Sequence, residues 1–209
     1  KIAVYTKVTE EMADDFQQMQ SFINARLAYM VGALADNHLL NGTGATNQIK
    51  GILNFSGLQT VSGALNPPDG IMRAIAYVRG ANGSGFVEPD AVVIHPLDYL
   101  NIKLTKDSNG QYFGGGPFSG QYGQGGFTNV GNIWGLPAVI TTAIAQGTAL
   151  TGAFRFAAQI FRRMGLTIES TNSDQDDFIK NLMTIRAEER LALACYKPAA
   201  FCTITGIPV

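Results

Sequence analysis

The sequence is poor in the residues that most metal-binding and nucleophilic sites require. Its 209 residues include two histidines, His38 and His95, and two cysteines, Cys195 and Cys202. Two cysteines cannot form a disulfide scaffold, and their spacing is not that of a zinc knuckle. We therefore expect both thiols to stay free, as in a reducing compartment. With so few nitrogen and sulfur ligands, we predict no metal site and no cofactor.

Charge is scarce as well, and it is balanced. Charged residues make up 15% of the chain, and 15 Lys and Arg against 16 Asp and Glu leave a net charge of −1. Proteins dedicated to nucleic acids or to anionic membrane surfaces usually carry a basic excess, so both classes are disfavoured. No apolar run approaches the ~18 residues of a transmembrane helix. The chain opens at Lys1 with neither Met nor a signal-peptide pattern, so we expect a processed form or a fragment.

The usual catalytic motifs are missing. The sequence contains no G-x-S-x-G nucleophile elbow and no G-x-x-x-x-G-K-[ST] phosphate loop. The glycine-rich run at residues 80–85 does not follow a strand of a βαβ unit, so we interpret it as a turn. We interpret His38 as a partly exposed helix residue, with a ligand or base as the alternative. His95 stands just before Pro96, where a helix-capping role is preferred over membership of a catalytic set.

An acidic run at residues 174–177 suggests two alternatives. Calcium binding is one, but the run lacks the glycine and the final glutamate of an EF-hand loop. Carboxylates in the first turn of a helix, capped by Ser173 or Asp174, are the preferred interpretation because the helix dipole favours negative charge there.

The pattern of apolar residues predicts strands and helices in mixed order. Strands are predicted at 1–8, 91–95, 138–142, 148–154, 166–170 and 200–205, helices at about 16–40, 69–78 and 96–104, and a helical turn at 157–163. Helix 16–40 would be roughly 37 Å long and act as a spine, with Gly32 as a close-packing position. Residues 182–196 are helical by propensity and strand-like by alternation. Without a regular βαβ repeat, the predicted fold class is α+β.

A segment rich in glycine and aromatic residues occupies residues 112–127, YFGGGPFSGQYGQGGF. Surfaces that bind single-stranded nucleic acid pair aromatics with Lys or Arg, and neither occurs between Gln111 and Ile133. An ordered, adaptable loop at a subunit contact is the preferred interpretation, with a disordered linker or a base-stacking surface as alternatives. From the residues alone we predict a non-enzymatic α+β protein with a capacity to assemble.

Five segments, taken together, resemble a known family. They are EEMADDFQQMQSFINARLAYMVGALADNHLLNGTG at 10–44, QIKGILN at 48–54, VVIHPLDYLNIKLTKDSNGQYFGG at 92–115, IWGLPAVITTAI at 133–144, and FRRMGLTIESTNSDQDDFIKNLMTIRAEERLALACYKPAAF at 161–201. In this order and spacing, over nearly the whole chain, they resemble the major capsid proteins of tailed bacteriophages with the HK97 fold.

The resemblance implies a two-domain shell subunit. A peripheral domain would comprise residues 1–52 and 166–209, including the spine helix at about 16–40, and an axial domain would comprise residues 53–165. Residues 182–196 would then form a long strand. The glycine- and aromatic-rich segment would lie near the capsomer axis, although it is longer than we expect for the family. The candidate residues of this capsomer-axis loop are Tyr112, Phe113, Gly115, Phe118, Tyr122 and Phe127.

The chain departs from the family in one respect that affects chemistry. Members normally have an N-terminal arm and an extended loop, the E-loop, before the spine helix, and this chain begins where that loop would end. We therefore expect a truncated form or a proteolytic core. Some members join subunits by a Lys–Asn isopeptide bond assisted by a glutamate. Asn181 matches the acceptor and Glu188 the glutamate, while the lysine donor would lie in the E-loop; both residues also suit ordinary polar positions on a strand.

The function implied by the resemblance is mechanical. Copies would form pentamers and hexamers and then an icosahedral head around double-stranded DNA held without sequence specificity. Portal and scaffolding components are further implied partners, a membrane is not, and the place of action would be the virion of a phage or prophage, assembled in the bacterial cytoplasm. An encapsulin-like nanocompartment is one alternative; a small hydrolase or sugar-binding protein is another.

Overall fold

The computed structural model describes residues 1–15, 17–45, 48–63, 66–81, 86–106, 109–110 and 131–208. Within them, helices and strands alternate irregularly, which confirms the α+β class. The elements are β1 (Ile2–Thr9), α1 (Glu10–Asp15), α2 (Gln17–Asn41), β2 (Gln59–Ser62), α3 (Pro67–Ala76), β3 (Ala91–Ile94), α4 (Pro96–Leu104), β4 (Asn132–Ile133), β5 (Leu136–Ile140), β6 (Thr148–Gly152), α5 (Phe154–Ala157), β7 (Ala158–Thr171), β8 (Leu182–Cys195) and β9 (Phe201–Thr205).

The chain folds into two compact units. The first, here called the spine unit, comprises Lys1–Gly51 and Ile160–Ala194, and the second, the sheet unit, comprises Ile52–Gln159 and Cys195–Val209. The sequence-based division assigned residues 195–209 to the domain of the spine helix. They lie in the sheet unit instead, because β9 pairs with β2 on one side and with β6 on the other.

The spine unit is built on a three-stranded sheet in the order β1-β8-β7. β1 runs antiparallel to β8, with Ile2 opposite Glu189 and Thr9 opposite Leu182. The apolar side chains of this sheet pack against α2. Their shared core consists of Ile2, Leu27, Val31, Ala35, Ile185, Ala187 and Leu191.

The predicted spine helix is present as α2, a helix of 25 residues. Phe16, where the prediction began, lies outside the described residues. Val31 and Ala35 on α2 are buried, whereas Met30 is 41% exposed. The interpretation of Gly32 as a close-packing position is wrong for the described chain: Gly32 is exposed, and a Cβ placed there would meet nothing within 4 Å.

The ambiguous segment 182–196 is the central strand β8. Its alanines, leucines and glutamates favour a helix locally. Hydrogen bonding to β1 on one side and β7 on the other, together with burial of Ile185 and Ala187 in the core, outweighs that preference. Strand propensity reflects packing on a pleated surface more than an intrinsic backbone preference, so tertiary context decides here.

The sheet unit contains a six-stranded mixed sheet in the order β2-β9-β6-β3-β5-β4. β9 and β3 each have a parallel neighbour, β2 and β5 respectively, and β6 is antiparallel to both β9 and β3. The core includes Ile71, Val78, Val92, Ile94 and Ile204, all fully buried. This apolar interior is the larger of the two.

Two local predictions are wrong. The predicted helical turn at 157–163 is instead the start of β7, preceded by the short helix α5. The acidic run at 174–177 begins a series of turns that extends to residue 181 and not a helix. In both cases long-range pairing to β8 shapes the segment, and a local window of sequence does not carry that information.

Candidate functional site

The predicted capsomer-axis residues cannot be placed in the fold. Tyr112, Phe113, Gly115, Phe118, Tyr122 and Phe127 all lie outside the described residues. Their role at a subunit contact stays a prediction.

Asn181, the matched acceptor, ends the turn that joins β7 to β8 and is exposed. Its backbone φ of +51° lies in the left-handed region, which asparagine tolerates better than most residues. Its carbonyl oxygen accepts a hydrogen bond of 2.9 Å from the backbone N–H of Glu10. The backbone of Asn181 is thus tied to the start of α1 while the residue faces solvent.

Glu188, the matched glutamate, lies in β8 and is 5% exposed. Its Oε2 atom is 2.6 Å from Nζ of Lys1 and 3.1 Å from Nε of Arg186. The hydrogen bond from Lys1 lowers the pKa of the Glu188 carboxyl from its ordinary value of 4.5, opposed by burial and assisted by the charge of Arg186. Glu188 is consequently held as a carboxylate, whose two oxygens only accept hydrogen bonds.

Asn181 and Glu188 do not form one site within one copy. Asn181 directly precedes β8 and Glu188 lies seven positions later. At about 3.3 Å per residue, an extended strand separates them by roughly 20 Å.

A buried carboxylate anchors the turn that carries Asn181. Asp177 is 2% exposed; its Oδ1 accepts a hydrogen bond of 2.6 Å from Nζ of Lys7, and its Oδ2 one of 2.5 Å from Oγ1 of Thr184. Asp174 lies 3.0 Å from the same lysine nitrogen. Sequence reasoning noticed the acidic run but missed this role, because the lysine stands on β1, 170 positions away.

The ion pairs shift the pKa values of both partners. The hydrogen bond from Lys7, followed by that from Thr184, lowers the pKa of Asp177 from its ordinary 3.8, against the effect of burial. Hydrogen bonds to Asp177 and then Asp174 raise the pKa of Lys7 from its ordinary 10.5. Both groups therefore stay charged across the neutral range.

An open groove of about 480 Å³ lies beside this cluster in the spine unit. Its charged groups are already paired: Arg186 contacts Glu169 at 3.0 Å and Lys7 contacts Asp174 at 3.0 Å. The hydrolase and sugar-binding alternatives require a concave pocket with converging polar groups that are free to engage a ligand. The charged groups of this groove engage one another instead.

The remaining sequence candidates have structural roles. His95 is the N-cap of α4, and its Nδ1 accepts a hydrogen bond of 3.3 Å from the N–H of Leu97, which confirms the capping interpretation. His38 is partly exposed near the end of α2, as predicted. Both cysteines are free, and burial raises the pKa of Cys202 to about 12. The loop at residues 80–85 is only partly described, with Gly80 in a left-handed conformation at φ +121°.

The described residues also bear on metal binding and on membrane insertion. Among them, no cluster of three or more His, Cys, Asp or Glu could hold a metal ion. None of the helices described is long and apolar enough to cross a membrane.

Comparison with known proteins defines the class to which this fold and these residues belong. Residues 1–206 match the model of the phage capsid family. The chain belongs to that family.

One relative within the class is much more similar in sequence than the structural neighbours. The chain is 37% identical over 204 residues to the major capsid protein of Enterobacteria phage HK97, a match that covers 95% of this chain and 49% of that protein. The chain thus spans about half the length of this curated relative.

The structural neighbours show the same fold at low sequence identity. The structure from Gordonia phage Cozz has a TM-score of 0.73 and 13% identity, covering 97% of this chain and 68% of the other. The capsid of an empty GTA particle, computed with C5 symmetry, has a TM-score of 0.71 and 14% identity, covering 99% and 71%. The predicted HK97-like capsid fold is confirmed.

Proposed function

We propose that this chain is the structural shell subunit of a phage capsid, whose copies form pentamers and hexamers and close into an icosahedral head around double-stranded DNA. The observation that carries the proposal is the 37% identity to a phage major capsid protein over 95% of the chain. At 37% identity, both the fold and the positions of individual residues can be inferred from this relative. The structural neighbours, at 13% and 14% identity, support only the fold.

The spine unit offers surfaces that suit such an assembly. Phe22 and Tyr29 on α2 are 66% and 67% exposed, and Phe178 and Ile179 in the turn before β8 are 76% and 84% exposed. Contacts within a ring are heterologous, so one patch of each copy meets a different patch of the next. Modest individual contacts suffice, because many act together in a closed shell.

The two units correspond, in this proposal, to the domains of the capsid fold. The spine unit would be the peripheral domain and the sheet unit the axial domain, with residues 112–127 near the capsomer axis. The net charge of −1 supports a wall that confines DNA without binding its sequence. Portal and scaffolding components would be further partners, and the shell would assemble in the bacterial cytoplasm before becoming part of the virion.

Covalent joining of subunits is the finer part of the proposal. A lysine amine from another copy would attack the side-chain carbonyl carbon of Asn181. A carboxylate accepts the proton that the lysine amine gives up and passes it to Nδ2. The new C–N bond replaces the bond to Nδ2, which leaves as ammonia. Because roughly 20 Å of strand separates Glu188 from Asn181 in one copy, the Glu188 that assists would belong to a different copy from the acceptor.

Assembly is tested by light scattering and negative-stain microscopy on the purified chain, and on the same chain extended at its N terminus by the arm and E-loop that the resemblance implies. Rings of five or six, or shells, support the proposal. Monomers in both forms at high concentration contradict it. Nuclease-protected DNA inside shells from infected or expressing cells favours a phage head, whereas an enclosed enzyme favours the nanocompartment alternative.

Cross-linking is tested in shells of the extended form. Boiled samples of the unaltered protein should give a ladder of joined subunits on a denaturing gel, with one ammonia lost per bond by mass spectrometry. N181A and E188Q should each abolish the ladder, while N172A, which changes an exposed asparagine in the same turn, should keep it. A ladder that survives N181A would exclude Asn181 as the acceptor.

A further inference from the structure

The turn between β7 and β8 exposes two large apolar side chains that its own conformation does not require. Phe178 is 76% and Ile179 is 84% exposed, side by side at its tip. Exposed large apolar groups that are clustered, and not scattered singly, indicate contact surfaces. In protein interfaces a few such groups, centrally placed, provide most of the binding free energy.

The same turn is anchored more firmly than an exposed loop usually is. Asp177, next to Phe178, is buried and accepts hydrogen bonds from Lys7 at 2.6 Å and from Thr184 at 2.5 Å. Its backbone carbonyl accepts from the N–H of Leu182 at 2.8 Å, and its N–H donates to the carbonyl of Asp174 at 2.9 Å. The N–H of Lys180 donates a fifth hydrogen bond, of 3.2 Å, to the same carbonyl, so five bonds to one residue fix the base of the tip.

Anchoring reduces the conformational entropy that the turn would lose on binding a partner. Ordering a flexible loop at an interface opposes association, and a loop that is ordered beforehand avoids that loss. The Lys7 and Thr184 partners stand on β1 and β8, so the anchor connects the tip to two strands of the spine-unit sheet.

We propose that residues 174–181 form a preordered docking turn for a second copy of this chain, with Phe178 and Ile179 as its apolar anchors and Asp177, held by Lys7, as the positioning residue. This inference rests on the proposed capsid function. It adds the side chains that make the noncovalent contact and the ion pair that holds them in place.

Three observations favour a second copy as the occupant. Asn181, which the family resemblance assigns to a bond with another copy, lies two positions from Ile179, so anchors and acceptor share one surface. The charged neighbours of the tip, Asp176 and Lys180, lie 3.4 Å apart and compensate each other. That neutrality does not suit a nucleic acid or an anionic membrane. Finally, one structural neighbour with a TM-score of 0.71 is itself the capsid of an empty GTA particle.

The test uses whichever form, the chain itself or the N-terminally extended chain, gives rings for the unaltered protein. The variant F178S/I179S removes both anchors from positions that contribute little to the monomer, so circular dichroism should be unchanged. We expect the protein concentration at which rings form to rise by more than about tenfold, as for loss of interface hot spots. The matched control is F86S, since Phe86 is 79% exposed but lies in the sheet unit.

The positioning role of Asp177 is tested by D177N, with K7R as the conservative variant. D177N should speed hydrogen exchange at the amides of Lys180 and Leu182 and weaken ring formation, whereas K7R should keep most of both. In the F178S/I179S background, D177N should produce no additional loss of assembly, because the anchors that it positions are gone. If D177N weakens ring formation equally in the unaltered protein and in F178S/I179S, the positioning role is rejected.

The outcomes separate this inference from the function on which it rests. If the unaltered protein and F178S/I179S form rings at the same protein concentration, the docking turn is rejected and the capsid proposal is not. No rings from the unaltered protein in either form overturn the capsid proposal, and the docking turn with it. If F178S/I179S misfolds, hydrogen exchange of the unaltered protein decides: amides 176–180 must become protected on assembly, and unchanged exchange rejects the inference.

Discussion

The two units of this chain bury different chemistry. In the sheet unit, the side chains with almost no exposure are chiefly apolar, among them Phe201, Ile71 and Ile94, and the buried carboxylate of Asp98 accepts a hydrogen bond of 2.7 Å from the N–H of Gly147. In the spine unit the carboxylates of Asp177, Glu188 and Glu189 are buried beside a smaller apolar core. Each has a basic partner within 2.6 Å: Lys7, Lys1 and Arg162 respectively.

Both units expose large apolar side chains, among them Phe86 at 79% and Phe156 at 67% in the sheet unit. Strand β7 carries Ile160, Phe161, Leu166 and Ile168 at exposures between 37% and 50%, and the tip of the following turn is more exposed still. The spine unit, with its smaller core and several buried carboxylates, should depend on pH and on salt. The sheet unit, whose larger apolar core also holds the buried carboxylate of Asp98, depends chiefly on the fit of its side chains.

The largest expected effect is in the sheet-unit core. Phe201 is fully buried, and its ring meets that of Phe154 edge-on at 5.2 Å between centroids. Phe201→Ala should lower the free energy of unfolding of this unit by about 3–5 kcal/mol. Trp134, the only tryptophan of the chain, lies in the sheet unit, so its fluorescence in urea reports that unit.

The control for this prediction is Phe86→Ala, which changes an exposed phenylalanine in the same unit. It should alter the free energy of unfolding by no more than about 0.5 kcal/mol. Equal losses from the two variants would contradict the account of the core.

The next largest effect is a difference between the two units in how their stability responds to acid. Because the pKa of Asp177 is lowered from 3.8 in the folded state, its stabilising contribution is present above that pH. It is lost as the pH falls through the lower, folded-state pKa. Glu188, with its pKa lowered from 4.5, acts in the same direction. The spine unit should therefore lose stability between about pH 5 and about pH 2, while the sheet unit, followed by Trp134, changes less.

Asp177→Asn should remove part of this acid sensitivity and weaken the spine unit near neutral pH. Asp176→Asn, at a side chain 68% exposed, is the matched control and should leave the acid profile unchanged. Limited proteolysis, with cleavage sites mapped to each unit, measures the difference. An acid profile that is identical in unaltered protein and Asp177→Asn would show that another group controls it.

A smaller, stabilising change is expected on α2. Gly32 is exposed with open space where a Cβ would stand, so Gly32→Ala should stabilise the spine unit by about 0.5–1 kcal/mol through helix propensity. Gly152→Ala in the sheet unit provides the contrast, because its Cβ would overlap the Phe201 ring and destabilise. Thermal unfolding by circular dichroism measures both. Destabilisation by Gly32→Ala in the unassembled chain would contradict the open surface seen here.

The smallest effect concerns the cap of α4. Replacing His95 by Ala removes the acceptor for the Leu97 N–H and should destabilise the sheet unit by about 0.5–1 kcal/mol. Asn at position 95 should restore most of it, since asparagine is a strong N-cap residue. Urea unfolding followed by Trp134 fluorescence detects the change; no difference between Ala and Asn would argue against capping.

Sequence reasoning succeeded where the information is local. The periodic apolar residues predicted a helix at about 16–40, which matches α2 closely, and Pro96 after His95 predicted the start of α4. Recognition of the family through five ordered segments then predicted that residues 182–196 form a strand, which propensity left open. These successes depend on spacing along the chain, which a single sequence displays directly.

It failed where a partner lies far away in the sequence. Nothing near Asp177 indicates Lys7, and the acidic run was assigned to a helix N-terminus for that reason. Gly32 was assigned to a packed position because a glycine within a helix often marks the close approach of a neighbouring element. The sequence does not show which face of the helix is buried against the rest of the unit. Nothing in the sequence distinguishes Phe178 and Ile179 from apolar residues of the core. Their exposure is known only from the conformation of the turn in the folded structure.

Local patterns and ordered segments of matching residues were enough to predict the α+β class, the spine helix, the cap of α4 and the family. The strands that β9 pairs with, the carboxylates that are buried beside a lysine or arginine, and the apolar side chains that face solvent became known from the folded structure. Those outcomes depend on hydrogen bonds and ion pairs between residues as far apart as Lys7 and Asp177. Pairings of that kind form when the chain folds on itself, and no short window of sequence contains both partners.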